Sequence, residues 1–512
     1  MAVQNTYSIN SAVEDEAEET TPLLKKHGEE NLVPPICCSV RYNLATLMFL
    51  GFAVVYGLRV NLSVAMVAMV NGTSVKPISN SSVGTECPVH AHNFDNSSQE
   101  QDDGNPQYDW SPQTQGMLLG AFFFGYLFTQ VPGGYLSGHF GGRIFLGGGV
   151  LGTAVLTLLT PLAAQLGAKW LFALRALEGF GEGVTFPAMA AMWGRWAPPL
   201  ERARLMTFSG AGGNFGAFVA FPLTGFICHS WGWPAVFYCC GGAGCLWALF
   251  WFLFVSDDPR THSSISTREK DYIINSIGSQ GGSHGWAVPI VSMAFSLPLW
   301  AIIISQMCAN WAYYTLLTSG PTYMDTVLHF DIRQNSFLSA VPYLGGWLFS
   351  LLGGALADNL LERELLSVAA VRKIFTFAGL FLSAAFLAAL GFSGCSEVLA
   401  VTFLTLSTTI GGLSAAGVYM NQIDIAPRYV GMLQGITNTF GTIPGVLAPI
   451  VVGQLAKDHS LAGWRKVFCL SAGLSAFGAL FFTFFGSGKV QSWAMTEEEE
   501  EADRDREGSV CS

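Results

Sequence analysis

The feature that most constrains the fold of this chain is a succession of twelve apolar stretches. A transmembrane helix needs roughly 20 consecutive apolar residues, so each stretch predicts one membrane span. The predicted spans lie near 42–70, 114–138, 144–164, 169–194, 205–229, 233–255, 297–327, 336–357, 371–392, 397–420, 428–455 and 464–486. We therefore expect an all-α, twelve-span membrane protein.

The spans form two groups of six with a polar stretch between them. Similar glycine-rich sequences close the second and the eighth span, at Gly133–Gly138 and Gly353–Asp358, which is typical of an internally duplicated transporter. The predicted organisation is a cytoplasmic N-terminal tail at 1–40, a six-helix half at 41–255, a cytoplasmic linker at 256–292, a second six-helix half at 293–486 and an acidic cytoplasmic tail at 487–512.

The acidity of the chain is concentrated near its two ends. The net charge is -11, and seven acidic residues fall at 14–30 and eight at 497–507. Segments with so few apolar side chains cannot offset the entropy lost on ordering, so we expect both tails to be disordered. Nothing in this pattern favours nucleic-acid binding. The motifs of phosphate-binding loops, zinc peptidases and serine hydrolases are missing, and the cysteines lack zinc-site spacing, so we predict neither an enzyme nor a cofactor.

The distribution of Lys and Arg predicts the orientation in the bilayer. If both termini are cytoplasmic, the cytoplasmic loops carry eleven basic residues and the opposite loops carry six, as the positive-inside rule requires. The loop 71–110 then faces a lumen or the exterior. It contains glycosylation sequons at Asn71, Asn80 and Asn96, and we predict that all three are modified.

Four ionisable side chains are predicted to lie within the membrane, namely Arg59 in the first span and Arg175, Glu178 and Glu182 in the fourth. A charge at the bilayer centre costs at least about 2.5 kcal/mol, so such groups usually face a partner or a polar cavity. The spacing of three and four residues places the three residues of the fourth span on one helix face. We expect that face to line a polar path.

These charges indicate an anion site coupled to a proton. Arg59 offers a fork of donors to a carboxylate and is the predicted substrate anchor. Burial favours the neutral form of a carboxyl group, so Glu182 is the predicted proton carrier, with Glu178 and Arg175 beside it. The alternative is a structural role, in which Arg175 pairs with Glu178 and Arg59 with Glu182. A pair that breaks on protonation is also a switch, so the two interpretations overlap.

Four polar side chains of the second half are candidate ligands of a hydroxyl-rich substrate. Asn310 and Tyr314 lie in the seventh predicted span, Tyr343 in the eighth and Asn438 in the eleventh. Polar residues in membrane bundles commonly bond to neighbouring helices instead, so that role is the alternative for each of them.

Several stretches of the sequence resemble the anion:cation symporter family, which includes the vesicular glutamate and the phosphate cotransporters. The resemblance extends over nearly the whole chain, and within the family it is strongest to the lysosomal exporters of sialic acid. It is carried by Arg175-Ala-Leu-Glu178-Gly-Phe-Gly-Glu182, Trp193-Gly-Arg-Trp196, Asn310-Trp311-Ala-Tyr-Tyr314, Val341-Pro-Tyr343, Asp424-Ile-Ala-Pro427 and Gly435-Ile-Thr-Asn438.

This resemblance implies the major facilitator fold and a proton-coupled symporter that exports sialic acid and related acidic sugars from the lysosome. Glu19, Leu23 and Leu24 are similar to a dileucine sorting signal, which implies a clathrin adaptor as a partner and the lysosomal membrane as the location. The synaptic vesicle and the plasma membrane are alternative locations.

Some positions depart from the family pattern. Vesicular glutamate carriers have a histidine in the second span and an arginine in the seventh, where this chain has Met117–Gly120 and Cys308–Asn310. Ala190 stands where members of the family usually have a histidine.

Two other functions stay open, namely a carrier of acidic amino acids or other organic anions driven by membrane potential, and a membrane sensor of anions that does not transport.

Overall fold

The structure is a computed structural model that describes residues 39–70, 108–277, 289–330, 332–458 and 460–495. Two sets of predicted sites lie outside the described residues. They are the dileucine residues Glu19, Leu23 and Leu24, and the sequon residues Asn71, Asn80 and Asn96.

Helices make up the first half of the protein. Short breaks divide the third and the fourth membrane crossing into two helices each. The helices are α1 (Val40–Met69), α2 (Pro112–Phe140), α3 (Gly142–Leu158), α4 (Thr160–Leu166), α5 (Ala168–Glu182), α6 (Thr185–Trp196), α7 (Pro199–Trp231) and α8 (Trp233–Phe254).

Two short helices lie between the halves, and the second half repeats the all-helical pattern. A π-helical turn, Ala378–Leu382, joins two helices of the ninth crossing. The helices are α9 (Thr267–Ile277), α10 (Ile290–Ala294), α11 (Leu297–Thr326), α12 (Ile332–Glu362), α13 (Val368–Phe377), α14 (Ser383–Gly391), α15 (Glu397–Gly411), α16 (Asn421–Ile425), α17 (Val430–Leu455) and α18 (Leu461–Phe485).

The lengths and hydropathies of these helices agree with the predicted spans. Within the described part of the chain, nine helices are long and apolar enough to cross a membrane, and the bent pair α3–α4 is a tenth. The pair α5–α6 and the helix α11 occupy the other two predicted spans. The pair α5–α6 contains Arg175, Glu178 and Glu182, and α11 contains several amides and tyrosines. These polar side chains lower the mean hydropathy, which explains why hydropathy alone does not identify the two spans. The prediction of twelve helical crossings is confirmed.

Two sides of the helical bundle are distinguished below. The basic face is the side at which α1 begins and α6 meets α7, and it carries Arg195 and Arg204. The far face is the side at which α1 ends and α2 begins. The distribution of basic residues in the loops predicts that the basic face is cytoplasmic.

A close helix contact places the acidic residues of α5 against α2. A Cβ atom added at Gly125 of α2 would lie 1.7 Å from the carbonyl oxygen of Ala176, and one added at Gly179 would lie 1.8 Å from that of Phe122. Only glycine allows two backbones to approach so closely. The contact therefore fixes the depth and rotation of α5 relative to the first half.

At the basic face, the linker helix α9 is attached to the first half by a buried cation. Arg41 donates through Nε to Glu201 Oε2 at 2.8 Å and through Nη1 to Glu269 Oε1 at 3.4 Å. Glu269 also accepts from the backbone N–H of Val40 at 3.0 Å and from the Ser39 hydroxyl. One carboxylate of α9 thus caps the start of α1, so these helix ends form one unit.

A short segment after α18 covers the basic face of the second half. We call this segment, Ser487–Met495, the C-terminal strap. Its Gln491 N–H donates to Ile425 O at 2.9 Å, and Asn421 Nδ2 donates to Ser487 O at 2.8 Å. Ala494 is buried in a hydrophobic cluster with Ile425. The strap is therefore packed onto α16 and the start of α17.

Candidate functional site

The first element of the candidate site is an ion pair between α1 and α5. Arg59 donates to one oxygen of Glu182, Oε1, through Nη2 at 2.5 Å and through Nε at 3.1 Å. Both side chains are buried, and Oε2 of Glu182 has no hydrogen-bond partner among the described residues. Half of this carboxylate is thus unpaired in a buried position, which is costly unless a proton or another donor satisfies it.

A second ion pair lies one helical turn away along α5. Arg175 Nη1 donates to Glu178 Oε2 at 2.6 Å, and the Thr160 hydroxyl donates to Glu178 Oε1 at 3.1 Å. Arg175 Nη2 also donates to the backbone carbonyl of Arg59 at 3.2 Å. Both oxygens of Glu178 are therefore bonded, and Arg175 ties α5 to α1 at the residue that carries the first ion pair.

These pairs are the ones proposed in the structural alternative, and they also place the three charged residues of α5 on one face, as the spacing predicted. The two acids differ in their surroundings. Both oxygens of Glu178 accept hydrogen bonds inside the first half. The partner of Glu182, Arg59, also lines the cavity described below. A structural role fits Glu178 well, and a switchable role fits Glu182.

Aromatic rings surround the Arg59 guanidinium. Its Cζ atom lies 4.7 Å from the ring centroid of Tyr56 and 4.8 Å from that of Tyr126. The rings of Phe122 and Phe123 follow at 5.3 and 5.7 Å. Ring faces attract the cation and hold it in place. They also exclude water, which would otherwise weaken the attraction between Arg59 and an anion.

Arg59 opens onto a cavity of about 310 Å³ between the two halves. Of the described residues that line this cavity, only Arg59 carries a charge. The lining continues to Thr207 near the start of α7 and to Val430 at the start of α17. Because both of these helices begin at the basic face, the cavity extends from the middle of the bundle toward that face.

An aromatic cluster closes the cavity on its other side. We call this cluster the far-side seal, and its members come from both halves of the protein. Tyr314 packs on Phe123 with ring centroids 4.5 Å apart. The buried members are Val60, Val64, Phe122, Phe123, Tyr126, Ala217, Ala220, Phe221, Tyr314, Leu317, Ala340 and Tyr343. A seal on one side and a cavity on the other are what a carrier needs to expose its site to one face at a time.

Amide side chains make up much of the cavity wall in the second half. Gln306 Nε2 donates to Asn438 Oδ1 at 2.9 Å, and the Tyr419 hydroxyl donates to Asn310 Oδ1 at 2.8 Å. Asn310 in turn donates through Nδ2 to Gly441 O at 2.8 Å. These bonds hold the wall in place, and they leave amide and hydroxyl groups next to a cavity that a polar ligand could enter.

The geometry of a polar cavity between two six-helix halves agrees with the comparisons to known proteins. The sequence profile of the Major Facilitator Superfamily matches residues 48–449. The chain belongs to the Major Facilitator Superfamily. It is 48% identical to human sialin (Homo sapiens), with 94% of this chain and 96% of sialin covered.

Further relatives place this superfamily member among the anion:cation symporters, as the sequence motifs predicted. It is 39% identical to the human "Probable small intestine urate exporter" (Homo sapiens), over 89% of this chain and 92% of that protein. It is 36% identical to vesicular glutamate transporter 1 of Xenopus tropicalis, over 94% of this chain and 81% of that protein. The protein is a membrane transporter and not an enzyme.

Solved structures confirm the major facilitator fold. A bacterial homolog of the human lysosomal transporter Spinster superposes with a TM-score of 0.61 at 16% identity, covering 90% of this chain and 99% of that chain. A D-xylose-proton symporter superposes with a TM-score of 0.62 at 15% identity, covering 88% and 100%. At these identities the likeness concerns the fold alone.

The predicted substrate ligands of this transporter fall into two groups. Arg59, Asn310, Tyr314 and Asn438 line the cavity. Tyr343 does not belong to the lining. It is buried in the far-side seal, with its ring centroid 5.4 Å from that of Phe221.

Ala190, at the position of the family histidine, is also outside the lining of the cavity. It is 8% exposed and belongs to a hydrophobic core cluster of the first half. Its neighbour Met189 lines the cavity instead. In this superfamily member the position therefore contributes packing without a polar group.

Several lining residues were missed by the sequence analysis. They are polar or aromatic residues of α1, α2, α7, α11, α17 and the segment before α16, namely Tyr56, Tyr126, Asn214, Gln306, Tyr419 and Thr442. A weak signal was available for Tyr56, because it lies three residues before Arg59 and so shares its helix face. The structure describes no group of three or more His, Cys, Asp or Glu side chains that could hold a metal ion.

Proposed function

We propose that this protein is a proton-coupled symporter that carries sialic acid and related acidic sugars through the cavity at Arg59. The observation that supports the proposal most strongly is that Arg59, the one charge on the described cavity wall, is also the partner of buried Glu182. Substrate carboxylate and Glu182 carboxylate would both use the same guanidinium.

Competition for Arg59 supplies a mechanism of coupling. When Glu182 is ionised, Nε and Nη2 of Arg59 are occupied by its Oε1. When Glu182 takes up a proton, its attraction for Arg59 falls, and the guanidinium can turn to the substrate carboxylate. Anion binding and protonation then favour each other, as in any pair of linked equilibria. Proton and anion cross together for this reason.

The rest of the cavity suits a sugar acid. Gln306, Asn310 and Asn438 present amides, and Tyr313 and Tyr419 present hydroxyl groups. Such groups can exchange hydrogen bonds with the hydroxyls of a ligand as it displaces water. A volume of about 310 Å³ lies at the lower end of the range for small-molecule sites and has room for a single sugar unit. The relative named sialin is consistent with this substrate class.

The second candidate is a carrier of acidic amino acids or other organic anions driven by membrane potential. The relative named vesicular glutamate transporter favours it, and Arg59 would bind the carboxylate of an amino acid equally well. The two candidates differ in the driving force of transport and in whether the substrate forms hydrogen bonds with the amide groups of the cavity wall. Membership of a transporter superfamily argues against the sensor hypothesis.

For the location we propose the lysosomal membrane, with both termini cytoplasmic and a clathrin adaptor as the partner of Glu19, Leu23 and Leu24. The acidic dileucine sequence and the excess of basic loop residues at one face support this orientation and address. Export from an acidic lumen would then be driven by protons that move from the lumen to the cytosol.

The test is uptake by purified protein in proteoliposomes with a panel of labelled anions. Sialic acid, glucuronate, glutamate and aspartate would each be offered with an imposed pH gradient and, separately, with an imposed potential. We expect pH-driven uptake of the two sugar acids. Uptake of glutamate or aspartate alone, driven by potential, would reject the proposal in favour of the second candidate. Binding without uptake of any anion would support the sensor.

A further inference from the structure

Gln130 of α2 makes hydrogen bonds that cross from one half of the protein to the other. Its side chain is 0% exposed. Nε2 donates to the Thr442 hydroxyl at 2.6 Å and to Asn438 O at 3.1 Å, and both acceptors belong to α17 in the second half. Within the described residues, Oε1 of Gln130 has no hydrogen-bond partner. Its polar contacts inside the bundle therefore depend on where the second half lies.

The acceptors of Gln130 belong to the cavity wall. Asn438 and Thr442 line the cavity, and Asn438 is one of the predicted substrate ligands. From Asn438 the bonds continue to Gln306 at 2.9 Å, and from Gln306 Oε1 to Gln422 Nε2 of α16 at 3.4 Å. A side chain of the first half is thus connected through the wall to the helix beside the basic face.

The α2–α17 contact is closed toward the far face in this arrangement. A Cβ atom added at Gly116 would lie 2.4 Å from Pro449 O, and one added at Gly120 would lie 2.9 Å from Val446 O. For the cavity to open at the far face, these backbones must separate and the halves must tilt. Bonds inside a half can persist through a rigid tilt, whereas bonds between halves are strained or broken.

We infer that Gln130 is a positioning residue that stabilises the arrangement with the cavity toward the basic face. The inference rests on the proposed function only in taking this cavity as the transport path. It does not depend on which anion is carried.

The test uses two cysteine reporters in the full-length protein, without substrate. Thr207→Cys reports access from the basic face, because Thr207 lines the cavity there. Ser319→Cys reports access from the far face. Ser319 is only 4% exposed in this arrangement and lies beside the Gly116–Pro449 contact, so its labelling requires that contact to open. Labelling rates with a membrane-impermeant thiol reagent are measured from each side, and the rate of the parent protein is subtracted.

Gln130→Met keeps an unbranched side chain of similar length but removes the donor. The Thr442 hydroxyl retains its own bond to Asn438 O at 2.7 Å, so it still has a partner. Loss of a buried hydrogen bond changes an equilibrium by about threefold to tenfold. We expect labelling of Thr207→Cys to fall and labelling of Ser319→Cys to rise, so that the ratio of the two rates changes by a factor in this range.

Thr129→Val is the matched control. Thr129 is the neighbour of Gln130 on α2, its buried hydroxyl has no hydrogen-bond partner among the described residues, and valine has nearly the same shape. It should leave both labelling rates unchanged. If Thr129→Val moved them as much as Gln130→Met, the effect would be one of packing and the proposal would be overturned.

A folded Gln130→Met protein with both rates unchanged would also overturn it. If Gln130→Met fails to reach the membrane, Thr442→Val removes the shorter bond from the other side, and the same opposite changes are expected. Failure of the wild type to carry sialic acid would reject the proposed function and leave this measurement valid.

Discussion

At the scale of single residues, Arg59 combines two tasks that are normally separate. It compensates the charge of Glu182 inside the bundle, and it presents a guanidinium to the cavity. An ion pair removed from water is not in itself strongly stabilising, because desolvation offsets most of the attraction. Such a pair is therefore well suited to be broken during each transport cycle.

Arg59→Lys should weaken anion binding while the protein still reaches its membrane. Lysine keeps the charge but lacks the planar fork that bonds two oxygens at once. Loss of one charge-assisted bond costs roughly 1.5–3 kcal/mol, about tenfold to a hundredfold in affinity. The measurement is the concentration dependence of anion exchange, on protein matched for amount. Unchanged affinity would reject Arg59 as the substrate anchor.

Glu182→Gln should uncouple anion movement from the pH gradient. Glutamine imitates the protonated acid, so Arg59 is permanently available to the substrate and no proton needs to be taken up before the anion binds. We expect net pH-driven uptake to be lost and anion exchange at fixed pH to survive. The two assays should be run on the same proteoliposomes over a series of external pH values.

Glu178→Gln is the matched control for that experiment. It makes the same change one turn away, but both oxygens of Glu178 are bonded to Arg175 and Thr160, and it does not line the cavity. Net uptake should keep its pH dependence, even if the amount of folded protein falls. Should Glu178→Gln lose coupling while Glu182→Gln retains it, the two roles would have to be exchanged.

At this scale, the sequence could identify site residues only where their side chains are energetically costly to place in the membrane. Charges are so unfavourable in lipid that Arg59 and Glu182 could be assigned to a site from their presence alone. Tyrosines carry little penalty, so the same reasoning could not separate Tyr314, which belongs to the far-side seal and also lines the cavity, from Tyr343, which belongs to the seal alone. It missed Tyr126 for the same reason. The face that such a residue occupies depends on helix rotation, which packing determines.

At the scale of helices, the contact between α2 and α5 sets the position of both ion pairs. Gly179→Ala would bring a methyl group to 1.8 Å from Phe122 O, so the helices must move apart. Overpacking of this kind costs about 1–3 kcal/mol. We expect a lower thermal unfolding temperature in detergent and reduced transport, measured together on purified protein.

Gly152→Ala serves as the control for that substitution. An added Cβ atom at Gly152 of α3 would meet nothing within 4 Å. Since alanine favours the helix over glycine by about 1 kcal/mol, stability should be unchanged or slightly higher. Equal destabilisation by both substitutions would show that the α2–α5 contact has no special importance.

Helix positions could be read from the sequence because the bilayer fixes their length, but the breaks within them could not. The predicted span 144–164 contains the bend at Leu159, and the span 169–194 contains the break at Gly183 and Val184. The π-helical turn at Ala378–Leu382 was not predicted either. Hydropathy carries no information on such breaks, since they are stabilised by contacts with other helices.

At the scale of the whole molecule, transport must proceed along the interface between the two halves. The cavity and the far-side seal both lie between the two halves, and residues of both halves contribute to each. Exposure of Arg59 to the far face therefore requires the seal to open as a unit. The seal is hydrophobic, so its opening exposes apolar surface and is expected to be the slow step without substrate.

The location in the cell can be tested with the predicted sorting signal. Leu23→Ala combined with Leu24→Ala should move the protein to the plasma membrane, because adaptors recognise short exposed segments of this type. Leu32→Ala combined with Val33→Ala, in the same predicted tail, is the control and should leave the location unchanged. Microscopy against a lysosomal marker decides between them. Unaltered lysosomal staining of the first variant would reject the signal.

The C-terminal strap has a practical consequence for anyone who handles this protein. A chain cut after Phe485 would retain every membrane helix described above, yet it would uncover Ile425 and remove one of the two hydrogen-bond acceptors of Asn421 at the basic face. An affinity tag or fluorescent reporter joined there would take the place of Trp493, which packs on Tyr429 with ring centroids 6.2 Å apart. Expression vectors should therefore keep the chain intact through Met495 before any fusion begins.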